Sequence, residues 1–210
     1  MNIAVTQRSV FLPDRGECRD CLDRRMTIFL EACGLNCMPM PTLVSTPLAW
    51  LRAAGICGVL ISGGNDLVAL EEGDISPERD ILERALLDIA KEQGIPVFGI
   101  CRGLQIMAHH YGARIVPVAG HAGRPHLVRG SLLQETVVNS YHNYGFFPHD
   151  LSERLRVLAQ SEDGGIEALG VFGLAQMAVM WHPEREKEFA PADITLIKDF
   201  FTSGGKYPVD

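Results

Sequence analysis

The sequence predicts an α/β fold with a central, mostly parallel sheet, helices on both of its faces and a smaller antiparallel portion. Two observations carry this prediction. Short apolar runs alternate with helical patterns up to about residue 112, and mainly short β-like runs follow before a last helix. The chain has 210 residues, 47% of them hydrophobic, with no linker or repeat, so we expect one domain over residues 1–210.

Cap and turn residues delimit the elements of the first part. Thr46-Pro47 and Ser76-Pro77 each place an N-cap residue before a proline suited to the first helical position, and Gly94 is a helix stop signal. Apolar runs bounded by turn residues are interpreted as strands. In order, this predicts strand 3–6, helix 20–33, strand 37–40, helix 46–54, strand 57–62, helix 76–93, strand 96–100 and helix 104–111.

The second part contains shorter apolar runs of β-like composition. They predict strands at 115–118, 135–138, 156–159, 166–169 and 174–180, followed by a helix at 192–201. His121, His126 and His149 fall in the polar loops of this part, and we interpret them as ordinary loop residues.

Charge and composition exclude several classes of partner. The formal net charge of −7 would repel nucleic acid or an anionic membrane, so neither is expected to bind. The N-terminus lacks the apolar run of a signal peptide, and no stretch has the roughly 18 apolar residues of a membrane span. We therefore expect a cytoplasmic protein with mostly reduced cysteines, and the sequence leaves a homodimer open.

Cys18, Cys21, Cys33 and Cys37 invite interpretation as a zinc site. A helix across the intervening residues would extend about 16 Å and would separate the two cysteine pairs too widely for one tetrahedral site. We therefore expect small buried or half-buried thiols and no metal ion.

The segment around Cys101 is the most informative part of the chain. Cys101 stands where an apolar strand meets a helix, with Gly99 and Gly103 two residues away on either side. Small residues in these places are typical of a nucleophile elbow, whose turn is too tight for flanking side chains. A helix N-terminus favours the reactive thiolate, and the backbone N–H of Arg102 would face the group that Cys101 attacks.

Two other strand ends supply the groups that a nucleophilic cysteine needs. Gly64 follows the strand at 57–62 and can present its backbone N–H beside that of Arg102, which would make an oxyanion hole. His182 ends an apolar run and precedes Pro183, so it should be extended, with its side chain on the same side as that of Glu184. His182 is then the candidate base, and Glu184 the carboxylate that orients it.

These segments also carry a family resemblance. ISGGND (61–66), GICRGLQ (99–105) and HPE (182–184) resemble, in this order, the class I glutamine amidotransferase superfamily. VNSYHNYG (138–145), DGGIEAL (163–169) and MWHPERE (180–186) are similar to its γ-glutamyl hydrolase branch, peptidase family C26. The resemblance covers nearly the whole chain.

The resemblance implies a flavodoxin-like fold and a cysteine-dependent hydrolysis of a γ-glutamyl amide, without metal or cofactor. The triad would be Cys101, His182 and Glu184, and the oxyanion hole would use the N–H groups of Gly64 and Arg102. Tyr141 stands where a leucine is common in the branch. The residues implied to bind the glutamyl part of a small-molecule substrate are Gly63, Gln105, Asn139, Ser140, Tyr141 and His142.

The start of the chain is similar to that of hydrolases that act on γ-glutamyl-CDP-amidate in capsule phosphoramidate biosynthesis. Its matching residues are Thr6-Gln7-Arg8, Arg19 and Cys21-Leu22-Asp23. Such a leaving group carries a pyrophosphate-like tail, which arginine binds well through its planar guanidinium. Arg8, Arg124 and Arg129 are the candidate contacts, and Arg19 is a further, weaker one.

The sequence leaves the leaving group open. A γ-glutamyl-γ-aminobutyrate-type hydrolase would share the whole site. A glutaminase subunit that delivers ammonia to a separate synthetase chain would share it too, and would need that chain as its partner. A catalytically inactive binding module of the same fold is disfavoured because all three triad residues are present.

Overall fold

The computed structural model describes residues 1–207 and consists of a large twisted sheet flanked by helices. The helices are α1 (Arg24–Ala32), α2 (Pro47–Ala53), α3 (Pro77–Gln93), α4 (Arg102–His110) and α5 (Pro191–Thr202). The strands are β1 (Asn2–Val5), β2 (Arg8–Leu12), β3 (Glu17–Cys21), β4 (Asn36–Pro39), β5 (Ile56–Ile61), β6 (Val97–Ile100), β7 (Val116–Pro117), β8 (His126–Gly130), β9 (Thr136–Val138), β10 (Tyr144–Gly145), β11 (Leu155–Ser161), β12 (Ile166–Val171) and β13 (Gln176–Val179).

The main sheet has a parallel half and an antiparallel half. Its strand order is β4-β1-β5-β6-β13-β12-β11-β8-β9. All pairings from β4 to β13 are parallel, and all pairings from β13 to β9 are antiparallel. This architecture confirms the predicted fold class.

Helices cover both faces of the parallel half. Phe98 on β6 packs edge-on against Phe200 of α5, with ring centroids 5.4 Å apart. The next residue, Gly99, lies against the backbone of Gly103 in α4. Since successive residues of a strand point to opposite faces, α4 and α5 lie on opposite sides of the sheet. Between them lies the apolar core, which includes fully buried Ile3, Leu60 and other strand residues.

Three neighbouring central strands end at the same edge of the sheet. β5 ends at Ile61, β6 ends at Ile100 and β13 ends at Val179, and all three run in the same direction. The carboxyl edge of parallel strands is where open α/β sheets place their ligands. Directly after these three strand ends come the loop that contains Gly63 and Gly64 (the glycine loop), Cys101 and His182. The fold therefore brings the three predicted segments together.

The structure corrects the prediction for residues 8–23. They form a hairpin of β2 and β3, and α1 begins only at Arg24, with Asp23 accepting a hydrogen bond of 2.9 Å from the Arg25 amide. The hairpin is largely exposed, so its strands lack the apolar alternation that would have identified them. Its turn does carry a sequence signal in Pro13, Asp14 and Gly16, the last with φ of 62°.

Two of the cysteines and His126 lie elsewhere than predicted, and Cys18 is exposed rather than buried or half-buried. Cys18 and Cys21 are on β3 instead of at the start of a helix, and all six cysteines are free thiols. His126 begins β8, which pairs with β9 and β11. No helix within residues 1–207 is both long and apolar enough to cross a membrane.

Candidate active site

Cys101 occupies a strained elbow between β6 and α4. Its backbone has φ of 52° and ψ of −103°, a conformation that side-chain-bearing residues rarely adopt and that clusters at functional sites. A Cβ on Gly99 would lie 2.7 Å from the Gly103 backbone, and one on Gly103 would collide with the Ile61 carbonyl oxygen. Both glycines are therefore required for the strand and the helix to meet at Cys101.

The loop after β5 is held from behind by Arg79 of α3. The fully buried guanidinium donates to the carbonyl oxygens of Ser62, at 2.6 Å, of Gly63, at 3.2 Å, and of Gly64. In a trans peptide the C=O and the N–H point in opposite directions. Because the Gly63 carbonyl faces Arg79, the Gly64 N–H points away from it, as an oxyanion donor should.

The second predicted donor, the Arg102 N–H, belongs to the first residue of α4 and so has no carbonyl partner within the helix. The side chain of Arg102 is buried and forms ion pairs with Asp80, at 2.5 Å, and with Glu83. Glu83 also accepts a hydrogen bond of 2.8 Å from Arg79. Two arginines and two carboxylates thus form a neutral buried cluster that joins both halves of the predicted oxyanion hole.

Electrostatics within this cluster keep Glu83 and Arg79 charged. Burial alone would raise the pKa of the Glu83 carboxyl, but Arg102 and Arg79 hold it below its usual value. Burial lowers the pKa of Arg79 to about 10, against the opposing effect of Glu83, and leaves the guanidinium protonated at neutral pH. The glycine loop is therefore fixed by charge-assisted hydrogen bonds.

His182 and Glu184 form the pair that the sequence predicted. Glu184 Oε1 lies 2.7 Å from His182 Nδ1, and both residues are buried. Asn139 holds the backbone of His182 on both sides: its Nδ2 donates to the His182 carbonyl and its Oδ1 accepts from the His182 amide, each at 2.8 Å. The guanidinium of Arg25 donates to the Glu184 carbonyl at 2.9 Å. Hydrogen bonds from Asn139 and Arg25 thus fix the backbone of the turn that carries the predicted base.

The protonation of His182 is controlled by its neighbours. Burial would lower the pKa of the imidazole, but the charge and hydrogen bond of Cys101, together with Glu184, raise it to about 9. The imidazolium is therefore the stable form at neutral pH, and it faces Cys101. The structure therefore places a proton donor beside the Cys101 thiol.

We expect kcat/KM for a γ-glutamyl amide to fall on the alkaline side with an apparent pKa of about 9. As the pH rises through this value His182 loses its proton, and with it the ability to protonate the leaving nitrogen. Glu184→Gln should shift this limb to lower pH, because Glu184 contributes to the raised pKa. A pH–rate profile that stays flat through pH ~10 would contradict the assignment.

A cavity of about 180 Å³ opens beside Cys101 and His182. Of the residues predicted to bind the glutamyl part, Gln105, Tyr141 and His142 line it. The Tyr141 ring lies edge-on to the His182 imidazole, with centroids 5.6 Å apart. Gln105 Nε2 donates to the Tyr144 carbonyl at 2.9 Å, so the loop with Tyr141 is tied to α4.

The other three predicted glutamyl contacts lie outside this cavity wall. Asn139 binds the backbone of His182, as described, and Ser140 is buried with its side chain away from solvent. Gly63 lies under the imidazole, where a Cβ would come within 2.6 Å of His182 Cε1. In this structure Asn139 and Gly63 therefore contact the predicted base.

The structure brings one of the four predicted arginines close to the cavity and adds another. Arg8 packs on Gly64 and pairs with Asp74 at 2.7 Å. Arg185, which sequence reasoning missed, lines the cavity itself, and its guanidinium lies 4.9 Å from the centre of the Tyr141 ring. The sequence feature that could have identified Arg185 is its position directly after the HPE segment (182–184).

Arg19, Arg124 and Arg129 do not line the cavity, which corrects their predicted placement. Arg19 lies on the exposed hairpin and pairs with Glu17 at 2.6 Å. Arg124 is exposed in the turn before β8. Arg129 is exposed on β8, which belongs to the antiparallel half of the sheet, far along the strand order from β6.

Comparisons with known proteins show the family of this chain. A family model described as glutamine amidotransferase class-I matches residues 30–203. The Gamma-glutamyl-CDP-amidate hydrolase of Campylobacter jejuni is 31% identical over 208 residues, which cover 96% of this chain and 98% of that protein. The Gamma-glutamyl-gamma-aminobutyrate hydrolase of Escherichia coli O157:H7 is 34% identical over 163 residues, which cover 63% of each chain.

A solved structure supports the fold. The crystal structure of a GMP synthase subunit from Thermoplasma acidophilum superimposes with a TM-score of 0.73 at 19% identity, and the match covers 97% of this chain and 94% of that one. The fold is thus the flavodoxin-like fold of glutamine amidotransferases. With a family model that spans most of its length and a relative that matches it from end to end, this chain belongs to the class I glutamine amidotransferase family.

Proposed function

We propose that this chain hydrolyses a γ-glutamyl amide bond through a cysteine nucleophile, and that its substrate is γ-glutamyl-CDP-amidate. The products are glutamate and cytidine diphosphoramidate, a donor for the phosphoramidate groups of capsular polysaccharide. The observation that carries the proposal is the convergence of Cys101, the His182–Glu184 pair and the Gly64 loop at one sheet edge. No other chemistry uses this set of groups as directly.

In the first half of the reaction the Cys101 thiolate attacks the γ-carbonyl carbon. The carbonyl π electrons move to oxygen, where the N–H groups of Gly64 and Arg102 stabilise the negative charge. His182, protonated because its pKa is about 9, donates its proton to the leaving nitrogen as the C–N bond breaks. A γ-glutamyl thioester on Cys101 remains.

In the second half the neutral His182 removes a proton from water, which attacks the thioester. The same two N–H groups stabilise the second oxyanion, and collapse of this intermediate expels the Cys101 thiolate and releases glutamate. Glu184 holds the imidazole by its Nδ1 throughout and stabilises the imidazolium each time it forms. Every atom of the substrate and water is thereby placed in the two products.

Two observations favour a nucleotide leaving group. The end-to-end similarity is to a hydrolase of γ-glutamyl-CDP-amidate, whereas the γ-glutamyl-γ-aminobutyrate hydrolase matches over 63% of the chain. Arg185 lines the cavity and Arg8 lies near it. Their guanidinium groups could bind a diphosphate that is joined to the γ-carbonyl through the amide nitrogen.

The test is a panel of substrates assayed for glutamate release by the isolated chain: γ-glutamyl-CDP-amidate, γ-glutamyl-γ-aminobutyrate and free glutamine. We expect the highest kcat/KM for the nucleotide conjugate. A preference for γ-glutamyl-γ-aminobutyrate would assign the chain to that hydrolase type. Activity on glutamine alone, increased by a second chain, would indicate the glutaminase subunit of a synthetase.

Arg185→Gln should raise KM for γ-glutamyl-CDP-amidate by roughly tenfold or more and change KM for γ-glutamyl-γ-aminobutyrate much less, because only the former carries phosphates. Arg8→Gln should have a smaller effect of the same kind, since Asp74 pairs with Arg8 at 2.7 Å, whereas Glu184 lies 3.7 Å from Arg185. Arg124→Gln and Arg129→Gln are matched controls outside the cavity. Equal losses on both substrates would argue against a phosphate contact.

A further inference from the structure

Three histidines and a glutamate meet in the interior, on the side of the Tyr141 loop that faces the antiparallel half of the sheet. His121 lies in the turn after β7, His126 on β8, His142 in the loop before β10 and Glu167 on β12. One ligand atom from each of the four lies within 4.8 Å of all the others. Glu167 is fully buried, His142 and His121 are nearly so, and the His126 side chain is 16% exposed.

Four of the six distances between these atoms are close to the edges of a tetrahedron around a zinc ion, and the other two, from His126 to His121 and to His142, are within 4.8 Å. Zinc–ligand bonds of about 2.0–2.2 Å imply ligand–ligand distances of roughly 3.3–3.6 Å. Glu167 Oε1 lies 3.1 Å from His126 Nε2, 3.4 Å from His121 Nδ1 and 3.5 Å from His142 Nε2. His121 Nδ1 and His142 Nε2 are 3.2 Å apart.

The polar groups at the centre lack ordinary partners. Within the described residues, both oxygens of the Glu167 carboxylate and the Nε2 of His126 are buried and without a hydrogen bond. A buried carboxylate left in this state is costly, because it has lost water and gained no donor of good geometry. A cation at the centre would satisfy the carboxylate and the imidazole nitrogens together.

The outer nitrogens of two of the imidazoles are held as they are in metal sites. His121 Nε2 lies 2.9 Å from Asp163 Oδ2, and His142 Nδ1 lies 3.1 Å from the Tyr144 carbonyl oxygen. A ligating histidine normally donates its second N–H to a carboxylate or a backbone carbonyl, which fixes the tautomer and turns the other nitrogen to the metal. Here the nitrogens so turned are Nδ1 of His121 and Nε2 of His142.

We propose that His121, His126, His142 and Glu167 bind one zinc ion in a closed, four-coordinate structural site. Imidazole and carboxylate ligands in tetrahedral array suit zinc, whereas Mg²⁺ and Ca²⁺ require six or more oxygens. The ion fastens the loop with Tyr141 and His142 to β8 and β12, and so holds one wall of the cavity beside Cys101 and His182. This proposal does not depend on the identity of the substrate.

The competing arrangement is a metal-free cluster with a proton in place of the ion. The nearby carboxylates of Glu167 and Asp163 raise the pKa of His121 to about 9, against the effect of burial, so a cationic His121 could neutralise Glu167. The two arrangements differ in metal content and in the response to chelators, and the experiment is designed on that difference.

The experiment measures metal in the full-length chain, purified without a histidine tag. We expect about one zinc ion per chain by mass spectrometry. Removal of zinc with dipicolinate should lower Tm by roughly 5–10 °C, and Zn²⁺, but not Mg²⁺, should restore it. In the metal-free chain, added Co²⁺ should produce the visible bands of a tetrahedral site, without the near-ultraviolet charge-transfer band of a thiolate ligand.

Variants locate the ion. Glu167→Gln and His126→Gln should lose the zinc, while His149→Gln, a change at an exposed histidine, should keep it. Cys18→Ser and Cys101→Ala should also retain the zinc ion. This result would exclude the hairpin thiol of Cys18 and the active-site thiol of Cys101 as zinc ligands. If both ligand variants misfold, the Co²⁺ spectrum of the unmodified chain decides between nitrogen–oxygen and thiolate ligands.

Three results would overturn the proposal. One is a chain that contains no zinc and takes up neither Zn²⁺ nor Co²⁺ after treatment with dipicolinate. Another is zinc that persists in both folded ligand variants. The third is a Tm that neither dipicolinate nor added Zn²⁺ changes, because an ion that binds only the folded chain must stabilise it.

Discussion

Replacing Cys101 with alanine is expected to lower kcat for γ-glutamyl amide hydrolysis by more than about a hundredfold while leaving the fold intact. The change removes the nucleophile, and no thioester can form without it. The substitution takes away only the sulfur atom and keeps the strained backbone, which has φ of 52° at this residue. Steady-state rates with the best substrate of the panel, together with Tm, measure the two expectations separately.

Cys57→Ala is the matched control for this variant. Cys57 is an exposed free thiol at the start of β5, on the strand whose other end carries the glycine loop. Its removal should change neither kcat nor Tm appreciably. A Cys101→Ala protein that kept more than about a hundredth of the original turnover would show that another group attacks the substrate.

Gly63→Ala is expected to lower kcat/KM by roughly a hundredfold through the position of His182. The added Cβ would lie 2.6 Å from His182 Cε1, so the imidazole must move away from Cys101 or the loop must move away from Arg79. Either movement separates groups that have to meet in the transition state. The backbone of Gly63 is outside the left-handed region, so no conformational strain accompanies the steric effect.

Gly34→Ala is the control, because it introduces backbone strain without a steric clash, whereas Gly63→Ala introduces a clash without strain. Gly34 has φ of 74°, and a Cβ there would meet nothing within 4 Å. We expect this variant to lose about 1 kcal/mol of unfolding free energy and to keep its activity. If Gly63→Ala retained full activity, the imidazole would not need the position that this structure gives it.

The chemistry of the site was accessible from the sequence because it is encoded locally. The glycines that flank Cys101, and the proline that keeps His182 extended, constrain backbone geometry within a few residues. The parallel sheet, whose strands end at one edge, then followed from the alternation of apolar runs with helical patterns. Local rules therefore sufficed to bring Cys101, His182 and Glu184 together.

Groups that depend on tertiary contacts could not be predicted in this way. Arg79 and Glu83 have the spacing of a surface ion pair on a helix, and only the packing of α3 under the glycine loop makes them part of the site. His121 and His126 do have a spacing that occurs in zinc sites, but His142 and Glu167 come from separate segments, and Glu167 lies within an apolar strand. The prediction for residues 8–21 was wrong for a different reason. An exposed hairpin buries few side chains, so its sequence shows no apolar pattern.

The pairing of β6 with β13 has a consequence for how the enzyme is made. The two strands are neighbours in the sheet, yet the whole antiparallel half of the chain is synthesised between them. Cys101 therefore leaves the ribosome long before His182, and the nascent chain carries a nucleophile without its base. The thiol becomes catalytic only when β13 docks beside β6, so recovered activity during refolding reports completion of the sheet rather than its beginning.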